Sequence, residues 1–254
     1  MENLLKTRLY NGETVFGTWS MLPSSFVIDV IACTGVDFVI IDLEHGSIPL
    51  STAEEMVRAA QVNNCQPIIR VGDSNENTIL HALETGSNAV LVPHISTPDE
   101  AEHISKSTKY FPEGSRGLSP YTRNHGYSHS DISESLRRAN QNVLTGILVE
   151  GKEGIANLPR ILEVNGIDLV YLGIYDISQS VGYPGEIDHP VVVENMKKCF
   201  EQIRMAGKIA GTFSRDIGNS RFLKSIGVQF IAYLVDSYAL KAFYLNAISE
   251  FKHQ

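Results

Sequence analysis

Cysteine is scarce in this chain. Its three residues, Cys33, Cys65 and Cys199, are odd in number and far apart. Without a C-x-x-C pair they suggest neither a disulfide framework nor a zinc knuckle, so reduced thiols in the cytoplasm are the expectation. Positive charge is also short: 21 Lys and Arg against 29 Asp and Glu leave a formal net charge of −8. That balance argues against nucleic acid or an anionic membrane as a partner, because both reward positive surface. A local basic pocket for a small anion stays open. No run approaches the roughly 20 apolar residues of a membrane span, and the opening stretch MENLLKTRLYNGETVFG lacks a signal peptide's apolar core. With no low-complexity tract, coiled coil or linker, residues 1–254 read as one domain of the length usual for a single barrel.

What is present is a rhythm. Short apolar, β-branched runs recur at Val15–Trp19, Asp37–Leu43, Pro67–Val71, Ala89–Pro93, Gly146–Glu150, Leu169–Gly173, Ile209–Phe213 and Gln229–Val235. Most are apolar throughout rather than alternating, as parallel strands buried on both faces must be. Helical segments lie between them. Ser51–Val62 opens on Ser-Thr with Glu54 and Glu55 in its first turn, Thr97-Pro98-Asp99-Glu100 opens another, and Val191–Met205 is closed by Gly207. Eight strand–helix alternations predict an α/β fold, a single (β/α)8 TIM barrel. The interval Tyr110–Asn142 is too long for a turn. It reads as a loop plus a short helix, a lid or intersubunit arm on the active-site side that carries Arg116 and Arg123.

Barrel active sites lie at the C-terminal ends of the strands. There the sequence places Asp42-Leu43-Glu44-His45-Gly46, Arg70, Pro93-His94, Glu150, Gly173-Ile174-Tyr175-Asp176 and Asp236. Asp176 and Asp236 also suit helix N-caps. Glu150 closes the run Ile147-Leu148-Val149 and needs a polar partner or a metal. His45 is the candidate base, and Arg70 is suited to gripping a carboxylate or oxyanion. Two carboxylates after neighbouring strands, with no cysteine beside them, favour a hard cation such as Mg2+ or Mn2+, with Co2+ or Zn2+ as substitutes. Such a site can chelate a 2-oxo acid and stabilise its enolate. No lysine ends the sixth strand, which speaks against a Schiff base.

The stretches Gly17-Thr18-Trp19, Ile41-Asp42-Leu43-Glu44-His45, Gln66-Pro67-Ile68-Ile69-Arg70, Leu91-Val92-Pro93, Tyr110-Phe111-Pro112-Glu113-Gly114-Ser115-Arg116-Gly117, Val149-Glu150, Asp176-Ile177-Ser178, Gly182-Tyr183-Pro184 and Val235-Asp236 give the chain a likeness over nearly its whole length. It resembles the HpcH/HpaI aldolase family, metal-dependent 2-oxo-acid aldolases of the phosphoenolpyruvate/pyruvate barrel superfamily. The resemblance implies a carbon–carbon lyase that cleaves or forms 4-hydroxy-2-oxo acids through a metal-stabilised, pyruvate-type enolate. It implies His45 as general base with Asp42 as its partner, Glu84 as the acid that raises its basicity, Arg70 as the enolate-stabilising cation, and Glu150 and Asp176 as metal ligands. It also implies 2-oxo-acid and aldehyde substrates and a homo-oligomer, a hexamer or trimer of dimers that exchange a C-terminal helix. Three residues depart from the family pattern along the substrate-binding stretch that includes Gly173. Leu148 stands where the family has Gln, and Ile174 and Tyr175 stand where it has Pro and Ala. These departures leave room for another carbon–carbon reaction or a non-catalytic barrel.

Overall fold

Every apolar run becomes a strand that pairs in parallel with the next, and the last pairs with the first. The result is a closed barrel. In this computed structural model residues 3–252 are described. The strands are β1 (Val15–Ser20), β2 (Phe38–Asp42), β3 (Gln66–Arg70), β4 (Ala89–Val92), β5 (Leu144–Val149), β6 (Leu169–Leu172), β7 (Ile209–Ser214) and β8 (Phe230–Val235). The helices are α1 (Leu4–Tyr10), α2 (Ser25–Ala32), α3 (Leu50–Val62), α4 (Glu76–Glu84), α5 (Pro98–Thr108), α6 (Ile132–Asn142), α7 (Gly151–Ile161), α8 (Ile174–Ser180), α9 (Pro190–Met205), α10 (Ile217–Ser225) and α11 (Asp236–Lys252).

The strand sequences sort their side chains into two cores. Val39 and Ile41 of β2, Val90 and Val92 of β4, and Ile147 and Val149 of β5 point outward and pack under the helices. Phe38, Ile40, Leu91, Leu144 and Leu148 alternate with them and fill the barrel with Tyr171 and Phe230. Both faces of β2, β4, β5 and β6 are thus dry, which is why most of the runs are apolar throughout. Phe38 and Phe230 stack with ring centroids 3.9 Å apart. Gly17 is required beside them, because a Cβ there would lie 2.3 Å from the Phe38 carbonyl oxygen. At the N-terminal mouth, Leu5 and Leu9 of α1 join the inner core. The helix is held there by Asp168, which accepts from Tyr10 Oη at 2.6 Å and pairs with Lys6 Nζ at 3.0 Å.

Helix starts follow local chemistry in part. Thr97 and Glu100 form a capping box at α5, as their spacing predicts. At α3 the structure differs: the helix begins one residue earlier and Pro49 occupies the cap, with no side-chain cap bond from the Ser-Thr pair. The long interval contains a 3-10 turn, Arg123–His125, and then α6. It follows α5 rather than β4, so it lies at the N-terminal mouth of the barrel. Asn140 pins it by accepting from the Tyr110 N–H at 2.7 Å and donating to the Tyr110 carbonyl at 2.9 Å. Among the described residues, no helix is long and apolar enough to cross a membrane.

Candidate active site

The C-terminal mouth gathers one polar cluster. β2 and β3 are in register with Asp42 opposite Arg70, so the buried carboxylate meets the guanidinium directly. Arg70 Nε donates to Asp42 Oδ1 at 2.9 Å, and Arg70 Nη2 donates to the other oxygen. Arg70 Nη1 is 2.7 Å from Glu44 Oε2, and the guanidinium carbon lies 4.5 Å from the centre of the Trp19 ring. Trp19 Nε1 in turn donates to Tyr171 Oη at 3.1 Å. Arg70 is therefore clamped edge-on by two carboxylates and face-on by an indole, a site that a lysine could not fill.

Glu150 directly follows β5 and Asp176 lies in the first turn of α8. Between them is Gly173. A Cβ at that glycine would sit 3.1 Å from Asp176 Oδ2 and 3.6 Å from Glu150 Oε1, filling the gap that the two carboxylates face. Burial pushes the Glu150 carboxyl above its usual range, Asp176 and Glu44 add to the push, and His94 opposes it. Two acids turned toward one open space, Glu150 through Oε1 and Asp176 through Oδ2, fit a divalent cation. The donors are all oxygen, as a hard ion prefers. Among the described residues no group of three or more His, Cys, Asp or Glu is arranged around a cation site, so water and substrate would complete the shell.

His94 was underweighted in the sequence. Its Nε2 is 2.8 Å from Glu44 Oε1 and its Nδ1 is 2.8 Å from Glu150 Oε2. It thereby joins the Arg70 cluster to the Glu150 pair. Glu44, Trp19 and Tyr171 were likewise missed as site residues. The only signal for Glu44 was its place between Asp42 and His45, and Trp19 and Tyr171 look like ordinary core residues in sequence. A cavity of about 460 Å3 opens over the cluster and is lined by His45, Arg70, Glu150, Asp176, Leu148 and Tyr175, among others. Leu148 is buried with the inner core, whereas Tyr175 is half exposed with its ring 6.2 Å from that of Phe213.

The structure refines or corrects several expectations. Asp42 meets His45 through the backbone: its carboxylate accepts the N–H groups of Glu44 and His45 at 3.0 and 3.1 Å while its charge is spent on Arg70. Glu84 ends α4, at the barrel end opposite His45, so the two cannot pair within one chain. Arg116 and Arg123 are no lid over this chain's own site, because the segment carrying them lies at that same opposite end. Arg123 donates to the Thr85 carbonyl and to Gln61 Oε1, both at 2.8 Å. Asp236, which the sequence also suited to a structural role, takes one: it accepts from Ser20 Oγ at 2.7 Å and from the Met21 N–H at 3.0 Å, tying the ends of β1 and β8 together.

The family model for HpcH/HpaI aldolase/citrate lyase matches residues 16–241. The chain belongs to that family. It is 32% identical over 237 residues to the 2-keto-3-deoxy-L-rhamnonate aldolase of Klebsiella pneumoniae subsp. pneumoniae, covering 93% of this chain and 88% of the relative. It is 31% identical to the hydroxypyruvate/pyruvate aldolase of Roseobacter denitrificans, covering 92% and 91% of the two chains. Among solved structures, a family member from Burkholderia cenocepacia superposes with a TM-score of 0.92 at 28% identity over 98% of this chain and 99% of that one. The citrate synthase SbnG superposes at 0.89 with 29% identity, covering 98% and 97%. This HpcH/HpaI chain is a carbon–carbon lyase with the family's barrel.

Proposed function

We propose that the chain is a divalent-metal-dependent aldolase that cleaves or forms 4-hydroxy-2-oxo acids, with a pyruvate-type donor and an aldehyde acceptor. The observation that carries this reading is the convergence of Glu150 Oε1 and Asp176 Oδ2 on the space beside Gly173, in the same cavity as Arg70 and His45. Relatives named as 2-oxo-acid aldolases support it. Glu150 and Asp176 would hold the cation, Mg2+ or Mn2+ by donor chemistry and Co2+ or Zn2+ as substitutes. Bound there, a divalent ion supplies Lewis acidity to the carboxylate and keto oxygens of the oxo acid.

The chain's own residues do the rest. Arg70, fixed by Asp42, Glu44 and Trp19, meets the negative charge that develops on the C2 oxygen as the C3–C4 bond breaks. His45 is exposed, and its ring makes no hydrogen bond to any described residue. It takes the proton from the 4-hydroxyl as the aldehyde forms and returns a proton to C3 of the pyruvate fragment, so the reaction closes on itself. Glu84 can serve His45 only from another copy of the chain. A homo-oligomer, a hexamer or trimer of dimers, accords with that, and three unpaired cysteines accord with the cytoplasm.

The deciding experiment is a retro-aldol screen: pyruvate release from a panel of 4-hydroxy-2-oxo acids, with EDTA and with Mg2+, Mn2+ or Co2+ restored. Activity should vanish with EDTA and return with a cation. Glu150→Gln and Asp176→Asn should each lose metal binding by calorimetry. Full activity in the metal-free protein, or borohydride trapping of substrate on a lysine, would reject the reading.

A further inference from the structure

The mouth that holds the reaction site is divided into a charged half and an apolar half. Along each strand every second side chain faces the barrel axis, and the last of these looks into the cavity over the cluster. On β2 the inward row passes from Ile40 to Asp42, and on β3 from Ile68 to Arg70. Across the mouth, β1 passes from Trp19 to Met21, and β7 from Ile209 to Phe213. Met21 and Phe213 are half-buried, and the Phe213 ring lies 6.2 Å from that of Tyr175. The same strand periodicity thus delivers charge on one side and apolar groups on the other.

Backbone strain completes the apolar half. β1 and β8 run in step from Val15 opposite Phe230 to Gly17 opposite Ala232, and then Trp19 lies opposite Val235. Two steps along β1 are met by three along β8, so β8 carries a bulge. Leu234 there holds φ of 54°, an outlying conformation for a bulky side chain. The alternation that puts Phe230 and Ala232 inside would put Leu234 inside next and turn Val235 out. The bulge reverses this, and Val235 packs on the inner core and lines the cavity. Bulges beside active sites commonly re-aim a side chain in this way.

Hydrogen-bonding capacity on this half is scarce. Trp19 Nε1 and Tyr171 Oη satisfy each other, and Ser20 Oγ is committed to Asp236. Met21, Phe213, Val235 and Tyr175 are left to meet a ligand, with one hydroxyl among them. Among the described residues, Arg70 is the only lysine or arginine that lines the cavity, and two carboxylates already hold it. Glu84, which the aldolase reading takes from another copy, goes to His45 and so to the charged half. A polyhydroxylated chain laid on the apolar wall would give up water at each hydroxyl for a single partner, whereas an alkyl chain only removes apolar surface from water. We propose, resting on the aldolase reading above, that this wall binds an apolar substituent on C4 of the 4-hydroxy-2-oxo acid. That substituent is the alkyl or aryl group of the aldehyde released when the C3–C4 bond breaks. Hydroxylated and carboxylate-bearing aldehydes are disfavoured.

The test first isolates the underlying reading. Mn2+-loaded protein given pyruvate in D2O, with no aldehyde, should exchange the C3 protons by NMR and should stop doing so with EDTA. Absence of metal-dependent exchange would reject the aldolase reading and this inference with it. With exchange established, kcat/KM for addition of pyruvate is compared in two pairs matched in non-hydrogen atoms: pentanal against D-glyceraldehyde, and hexanal against succinate semialdehyde. The α-hydroxyl makes glyceraldehyde the more electrophilic of its pair, so a lead for pentanal has to come from the wall. We expect the apolar member of each pair to lead by about 10- to 100-fold, the range over which an apolar pocket separates such analogues. Val235→Thr and Met21→Gln nearly keep side-chain size while adding hydrogen-bonding groups. In variants whose Tm stays near the parent's, each should lower the pentanal-to-glyceraldehyde ratio, chiefly through KM. If neither variant folds, the parent ratios decide alone. A polar aldehyde that equals or beats its apolar match, in protein that exchanges pyruvate protons, overturns the inference and leaves the aldolase reading standing. A ratio unchanged in both folded variants does the same.

Discussion

His94 adopts a left-handed backbone with φ of 61°, a conformation uncommon outside glycine that Asn, Asp and His adopt more readily than most residues. Its ring is held by two carboxylates, one on each nitrogen. His94 holds Glu150 Oε2 aside and leaves Oε1 to face Asp176, so on the proposed reading it positions one of the two acids that would hold the cation. Partners behind a ligand commonly set metal affinity within about 10- to 100-fold. His94→Ala should therefore weaken Mn2+ binding by a factor in that range in calorimetry. His94→Asn, which tolerates the same backbone but is too short to span both acids, separates the roles. Restoration of the parent's affinity by asparagine would credit the backbone rather than the ring. The neighbouring departures from the family pattern line the same cavity, where they would meet a substrate. Leu148 lies two residues before Glu150 on the inward face of β5 and makes that wall apolar, while Tyr175 places a phenol ring beside Asp176. We expect Leu148→Gln with Tyr175→Ala to raise kcat/KM for pyruvate aldol cleavage. No gain in a folded, metal-loaded double variant, from a parent that is already efficient, would show that specificity is set elsewhere.

Elements were more legible than their ends or their connections. Each strand announced itself because parallel strands dry on both faces leave an unbroken apolar run. Their limits shifted by a residue or two because pairing register, invisible in one segment, decides where a strand stops. Asp42, Arg70, Glu150 and Asp176 could be placed because a barrel strand end fixes direction. The interval Tyr110–Asn142 misled because its Gly, His and Arg content resembles a lid, and only counting α5 before it places it at the N-terminal mouth. A second tie there, His125 between Tyr110 Oη and Ser135 Oγ, is pH-sensitive. Burial, aided by Arg116, lowers the His125 pKa below its ordinary 6.5. Between the unfolded value and that lowered one, the unfolded chain binds more protons. Stability should thus be fully present above about pH 6.5 and fall as pH drops through that window. His125→Gln, which keeps hydrogen-bonding capacity without the titration, should flatten this arm of a Tm-against-pH curve measured in a buffer free of citrate and phosphate. An unchanged acid slope would place the sensitivity in another group.

At the scale of the molecule, the barrel is satisfied and its last helix is not. Among the described residues of α11 only Asp236 is buried, while Tyr238, Leu240, Phe243, Tyr244, Leu245, Ile248 and Phe251 are exposed. A helix apolar around its circumference belongs inside something, and a patch of this kind marks an interface. The resemblance that the sequence carried names the occupant as a second copy exchanging the same helix, a self-complementary contact. Phe243→Glu with Phe251→Glu should therefore lower the mass found by size-exclusion chromatography with light scattering. Metal affinity separates this effect from unfolding, because Glu150 and Asp176 come from one chain and need no neighbour. The dissociated variant should keep the parent's Mn2+ affinity. Its kcat should fall as well, since Glu84 lies at the wrong end of its own barrel to serve His45. Dissociation with both metal affinity and kcat intact would mean that each barrel is complete alone, and that His45 works without an acid behind it.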